Sequence, residues 1–167
     1  MVSRVFEANG FVRVRFGDIT DQGIQKRGLA LNEANERHIR ELLRKELGMA
    51  AYAILNRPRI DEVLKRSHVV IDGLYSWEEY LYCKSCYGKN FCAVAVWASP
   101  ETRYARLAAR ATRSLTPEHA ASRDRSEIEN LNKGGPIAIA DFTIINECPL
   151  EELEKQAQSI VERIKRT

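Results

Sequence analysis

Residues 68–98 read HVVIDGLYSWEEYLYCKSCYGKNFCAVAVWA, and their order decides the fold class. "HVVIDG" (68–73) and "AVAVWA" (93–98) are continuous apolar runs rich in β-branched side chains. Such runs suit strands buried on both faces of a parallel sheet. Between them, "SWEEYLYCKSC" opens on Ser76 and carries Glu79 three residues later. That pair is a capping box, in which each side chain satisfies a backbone N–H of the first helical turn. Strand, helix and strand then form one right-handed crossover unit.

The alternation continues on both sides. "FVRVRF" (11–16) and "FTIINE" (142–147) carry the same strand signal. Arg13 and Arg15 fall on one side of the first, which places it nearer a sheet edge. Ahead of it, "VSRVFEANG" reads as the last turns of a helix ending at Gly10. "LNEANERHIRELLRKELGMAAYAILN" reads as a helix capped by Asn32, with Ile39, Leu42 and Leu43 at helical spacing, and "RIDEVLKR" as a second, short one. Ser99–Pro100 and Thr116–Pro117 each place a capping hydroxyl before a proline at the first helical position. "CPLEELEKQAQSIVERIKRT" reads as a terminal amphipathic helix. The expected architecture is a three-layer α/β sandwich with a parallel sheet, in one domain over residues 1–167.

Bulk properties bound the function. The 167 residues suffice for one proper core. Lys and Arg number 26 against 23 Asp and Glu, a net charge of +3 that suits an anionic ligand. The basic residues are interleaved with acids, as in "ERHIRELLRKE", the pattern of a solvated helix face rather than a nucleic-acid-binding stripe. No apolar run approaches the ~18 residues a membrane span needs, and no signal peptide is expected. The cytoplasm is the default location. Nothing in the pattern specifies an oligomeric state. Of the four cysteines, Cys83 and Cys86 have knuckle spacing, but Cys92 and Cys148 form no second close pair. Reduced thiols without zinc are expected.

Ligands of parallel α/β sheets bind beyond the carboxyl ends of the strands. Two strands end in an acid there, Asp18 after "VRVRFG" and Asp72 in "VVID". A carboxylate in that place can hold Mg²⁺ through water, or it can simply cap the next helix. Arg106 and Arg110 lie one helical turn apart and share a face. Taken alone they read as solvated helix charges.

Taken together, "VVIDGLYSWEEYL…VAVWASPETRYARLAAR…SRDRSEIENLNKGGPIAIADFTIINECPLEEL" resembles the P-loop nucleoside/nucleotide kinase superfamily. The resemblance is to dephospho-coenzyme A kinase and the archaeal and bacterial kinase-like proteins related to it, and it covers about residues 4–165. It implies a strand order of 2-3-1-4-5, an acceptor-side helical region over 19–66 and a helical lid over 106–126. It also implies ATP with Mg²⁺ and a small phosphate-acceptor molecule as ligands. Asp18 matches the acid near the acceptor and the metal, which orients the acceptor hydroxyl or takes its proton. Asp72 matches the acid that holds Mg²⁺ through water. Arg106 and Arg110 match lid arginines that approach the phosphates, and Arg123 and Arg125 lie on the lid's return side. Asn146, Glu147 and Cys148 match the loop that lies against adenine.

Two departures stand out. Nucleotide kinases often carry an Arg soon after the second-strand "GD", whereas "GDITDQ" has Asp21 there and its next bases are Lys26 and Arg27. This argues against an ordinary nucleoside monophosphate as acceptor. The chain also contains no GxxxxGK[ST] phosphate loop, and "NKGGP" has these residue types in the wrong order. On family geometry the chain is expected to begin inside the first helix, roughly 15–20 residues late, without the central strand, and to be inactive as written. Three readings follow: an ATP-dependent kinase seen without its phosphate loop, a non-catalytic relative that binds nucleotide or protein, and a nucleic-acid module using the basic lid.

Overall fold

The computed structural model describes residues 1–111 and 114–166. Its elements, in chain order, are α1 (Val2–Ala8), β1 (Val12–Arg15), α2 (Asp18–Lys26), α3 (Glu33–Leu47), α4 (Ala51–Leu64), β2 (Val69–Asp72), α5 (Trp77–Tyr87), β3 (Val94–Trp97), α6 (Pro100–Ala108), α7 (Pro117–Leu131), α8 (Gly134–Ala138), β4 (Phe142–Ile145) and α9 (Leu150–Lys165). The fold is α/β with parallel strands. Each of the four expected strands is present, shortened by a residue or two at its ends. Among the described residues they form two sheets of two strands each, β1–β2 and β3–β4, rather than one continuous sheet.

The chain divides into two compact units, Met1–Phe91 and Cys92–Thr167. In the first, β1 and β2 pair in register from Val12 opposite Val69 to Arg15 opposite Asp72. Alternation along β1 sends Val14 and Phe16 into a core with Ala51, Tyr52, Ala53 and Ile60 of α4 and Cys83 of α5. Arg13 and Arg15 go to the opposite face. α4 packs on this sheet, as does α1, whose Phe6 meets Phe11 edge to face at 5.2 Å. In the second unit, β3 and β4 pair from Val94 opposite Phe142 to Trp97 opposite Ile145. Here Ile144 is buried, as are Leu153, Ala157, Ile160 and Val161 on one face of α9.

The expected helix starts hold. Asn32 caps α3, Ser99 caps α6 and Thr116 caps α7, each through its side-chain oxygen. Ser76 and Glu79 form the complete capping box of α5. Two readings need correction. The segment from Asn32 to Asn56 is not one helix but two, broken after Leu47 at Gly48, whose φ of +79° ends the first. "RIDEVLKR" is not separate, because α4 runs through Pro58 and absorbs it. A short turn at Phe16 and Gly17 leads from β1 into α2, which opens at Asp18, and α8 begins within "NKGGP" at Gly134. No helix among the described residues is long and apolar enough to cross a membrane.

Candidate anion-binding site of the first unit

Because β1 and β2 are parallel, their carboxyl ends coincide. The Phe16 N–H donates to the Asp72 carbonyl at 3.0 Å, extending the pairing one residue past β1. Asp18 then opens α2 at the same end where Asp72 closes β2. The expectation that both carboxylates mark one sheet edge is therefore met by the register itself.

Each carboxylate is answered by a guanidinium. Arg15 donates to Asp18 Oδ1 at 3.1 Å and to Asp21 Oδ2 at 2.9 Å, and Arg59 of α4 donates to Asp18 Oδ2 at 3.1 Å. Arg13 Nε donates to Asp72 Oδ2 at 2.8 Å, and its Nη2 reaches the same oxygen. Asp21 above all, with Asp18, holds the Arg15 guanidinium above its ordinary range. The Arg15 and Arg59 side chains are 43% and 48% exposed and Asp18 is 31% exposed, so these pairs face water and can exchange partners. Beyond Asp72 the chain turns on Gly73 at φ +104°, where a Cβ would lie 2.8 Å from the Tyr75 ring. Only glycine fits that turn.

Arg15 and Arg59 were not singled out as site residues by pattern. Arg15 reads as the polar side of an alternating strand, and Arg59 lies 41 residues from Asp18. The signal that could have found Arg15 is its place three residues before Asp18 at a strand's carboxyl end. Nothing local marks Arg59.

In the second unit, the carboxyl ends of β3 and β4 also coincide, and here Arg106, Asn146, Glu147 and Cys148 come together. Arg106 donates to the Asn146 carbonyl at 2.8 Å. Glu147 Oε1 accepts from the Ser99 N–H, and its Oε2 accepts from the Thr102 hydroxyl at 2.5 Å. The Thr102 bond, then the Ser99 amide, holds the Glu147 carboxyl below its usual range. Cys148 Sγ contacts the Ile145 carbonyl at 3.5 Å and accepts from Gln156 at 3.4 Å.

The other lid residues are dispersed. Arg123 pairs with Glu127 within α7 at 3.1 Å, while Arg110 and Arg125 are exposed. Burial pushes Glu127 up, but Lys133 and Arg123 more than offset it and leave the carboxyl below its usual range. α6 and α7 are tied through Asp124, which binds Arg103 and accepts from the Tyr104 hydroxyl at 2.9 Å. Thr112 and Arg113, inside the expected lid, lie outside the described residues.

The cysteines are free thiols, with Cys83 buried and Cys86, Cys92 and Cys148 half-buried. Burial pushes the Cys83 thiol up to about 12. Among the described residues no three His, Cys, Asp or Glu side chains converge as a metal site.

No protein-family model matches this chain. A UPF0200 protein of Thermococcus onnurineus is 36% identical over 167 residues, covering 98% of this chain and 90% of the relative. One from Thermococcus gammatolerans is 37% identical over 163 residues, covering 95% and 85%. One from Pyrococcus furiosus is 32% identical over 169 residues, covering 98% and 90%.

Proposed function

The chain belongs to the UPF0200 family, and for it we propose ATP-dependent phosphoryl transfer to a small anionic acceptor, in the manner of dephospho-coenzyme A kinase. The observation that carries the reading is Asp18, held between Arg15 and Arg59 at the sheet end where Asp72 closes the neighbouring strand. Phosphoryl transfer asks a protein mainly for positioned cations and for a carboxylate on the attacking hydroxyl. The two strand pairs add support. With β1 to β4 matched to the family's strands 2 to 5, the parallel pairs β1–β2 and β3–β4 are compatible with the order 2-3-1-4-5.

The roles follow from the chemistry. Arg15 and Arg59 take the acceptor's negative charge, releasing Asp18 from its two ion pairs. Asp18 then accepts the acceptor's hydroxyl proton as that oxygen attacks the γ-phosphorus of ATP. The new O–P bond forms as the bond to the ADP oxygen breaks. When bound, Mg²⁺ supplies charge neutralisation of the nucleotide phosphates. It commonly takes only one or two carboxylates besides those phosphates and water. Asp72 fits that demand, because both Arg13 contacts fall on Oδ2 and leave Oδ1 to face a metal-bound water. Arg106, Arg110, Arg123, Arg125, Asn146 and Cys148 are the proposed nucleotide side, with Glu147 holding their loop through Ser99 and Thr102 rather than touching the nucleotide.

The test, made on the chain extended upstream in frame, is transfer of label from γ-labelled ATP with Mg²⁺ to dephospho-coenzyme A and to nucleoside monophosphates. Transfer that falls about 100-fold or more in Asp18→Asn supports the reading, in line with loss of a general base. Transfer that survives this change removes Asp18 from the reaction. A second reading is nucleotide or acceptor binding without transfer, and an upstream reading frame that spells no GxxxxGK[ST] stretch favours it. Calorimetric binding with no label transferred to any acceptor would select it.

A further inference from the structure

Glu79 lies in the first turn of α5 and is fully buried, with 0% of its surface exposed. Its Oε2 accepts from the backbone N–H of Tyr75 at 2.8 Å and of Ser76 at 3.4 Å. It thereby clasps the loop that leaves β2 after Asp72. The capping box accounts for that oxygen. The other, Oε1, is buried with no hydrogen-bond partner among the described residues.

The charged and titratable groups that face Glu79 come from three helices. Arg44 belongs to α3, Tyr52 to α4, and Glu78 and Cys83 to α5 itself, while Arg40 of α3 acts on Tyr52. The nearest compensation is incomplete. Arg44 lies over the Tyr52 ring, 5.5 Å from its centre, and makes no ion pair with Glu79. Arg44 Nε and Glu78 Oε2 are also buried without partners. An ionised carboxylate in this setting bears its desolvation cost with only two amides in return, whereas a neutral carboxyl does not.

We propose that Glu79 is a proton-dependent latch at the start of α5: protonated, it stays inside and clasps the loop after Asp72; ionised, it draws water to Oε1 and loosens the clasp. Burial is the largest cause acting on its acidity. The Tyr75 amide and Arg44 oppose it only in part, which leaves the carboxyl near 7 and the latch sensitive around neutrality. The effect reaches beyond one loop, because the Ser76 hydroxyl donates to the Met49 carbonyl at 2.9 Å and ties the turn between α3 and α4 to the same joint. The latch does not depend on the phosphoryl-transfer reading.

Site-resolved amide exchange of the full chain at pH 6 and pH 8, corrected for intrinsic exchange, tests the latch. The Tyr75, Ser76 and Glu79 amides should lose protection about tenfold at pH 8 beyond any change at Ile71 in β2. Glu79→Gln keeps the capping box and should show no such loss. Equal protection at both pH values, or a loss that persists in Glu79→Gln, overturns the latch. Should that variant not fold, the Glu79 carboxyl carbon can be titrated by NMR in the unaltered protein. A midpoint near neutrality that the Tyr75 amide shift follows supports the latch, and a midpoint in the ordinary glutamate range overturns it.

Discussion

The two units solve the same construction problem in opposite ways. Each places an acidic residue just beyond a parallel strand pair, Asp18 at the start of α2 and Glu147 in the loop after β4. In the first, Asp18 is held by Arg15 and Arg59, long side chains half in water, and every one of these bonds can be traded for a ligand. In the second, Glu147 is held by the Ser99 amide and the Thr102 hydroxyl at the start of α6. Those partners belong to the helix's own first turn, whose unsatisfied N–H groups need an acceptor. An acid at the carboxyl end of a strand is therefore not informative alone. What answers it decides whether the place can serve a ligand or is occupied by the fold's own hydrogen bonding.

The comparison can be broken by perturbing each end separately. The largest expected effect is on the platform of the first. Phe16 is fully buried directly before the Gly17–Asp18 turn. Phe16→Ala should cost about 3–5 kcal/mol in denaturant unfolding, and the Asp18 site should go with it. A loss under about 1 kcal/mol would mean that the core beneath the site collapses onto the gap.

Next in size is the pH dependence carried by Glu79. Its carboxyl is raised in the folded chain, so its favourable contribution is full below the unfolded value near 4.5 and is lost as pH rises through about 7. Glu79→Gln should thus be more stable than the parent at pH 8, by up to about 3 kcal/mol, with the advantage fading toward pH 4.5. Unfolding midpoints across that range check this, and a constant difference would contradict it.

At the second end, Ser99→Ala removes the oxygen that accepts from the Thr102 N–H and should cost about 1 kcal/mol. It should leave ligand binding at Asp18 unchanged. The smallest effect belongs to α7. Arg123→Ala loses a pair with Glu127 whose Arg side is 53% exposed, and it should shift stability by no more than about 0.5 kcal/mol. A larger loss in thermal unfolding would show that the α7 charges form a network.

Much of the fold was legible because its signals are local. The four strands are short apolar or alternating runs, and the starts of α3, α5, α6 and α7 each carry a capping side chain. The separate "RIDEVLKR" helix does not survive because α4 runs through Pro58, burying Tyr52 and Asn56 before it and Ile60 after it. Asp18 and Asp72 were legible as strand-end acids. Arg59 was not, because its tie to Asp18 exists only once α4 packs on β1. The Glu79 capping box was readable, but the stranded oxygen beyond it depends on α4 packing against α5.

The central claim is that Arg15, Asp18 and Arg59 form an exchangeable anion site while the Ser99–Glu147 joint is structural. Calorimetric titration with dephospho-coenzyme A, and separately with inorganic phosphate, measures it directly. Arg15→Ala and Arg59→Ala should each weaken binding about tenfold or more, the loss of a charge-assisted hydrogen bond, with Ser99→Ala unchanged. Affinity that is equal in all four proteins, or that falls only in Ser99→Ala, would contradict it.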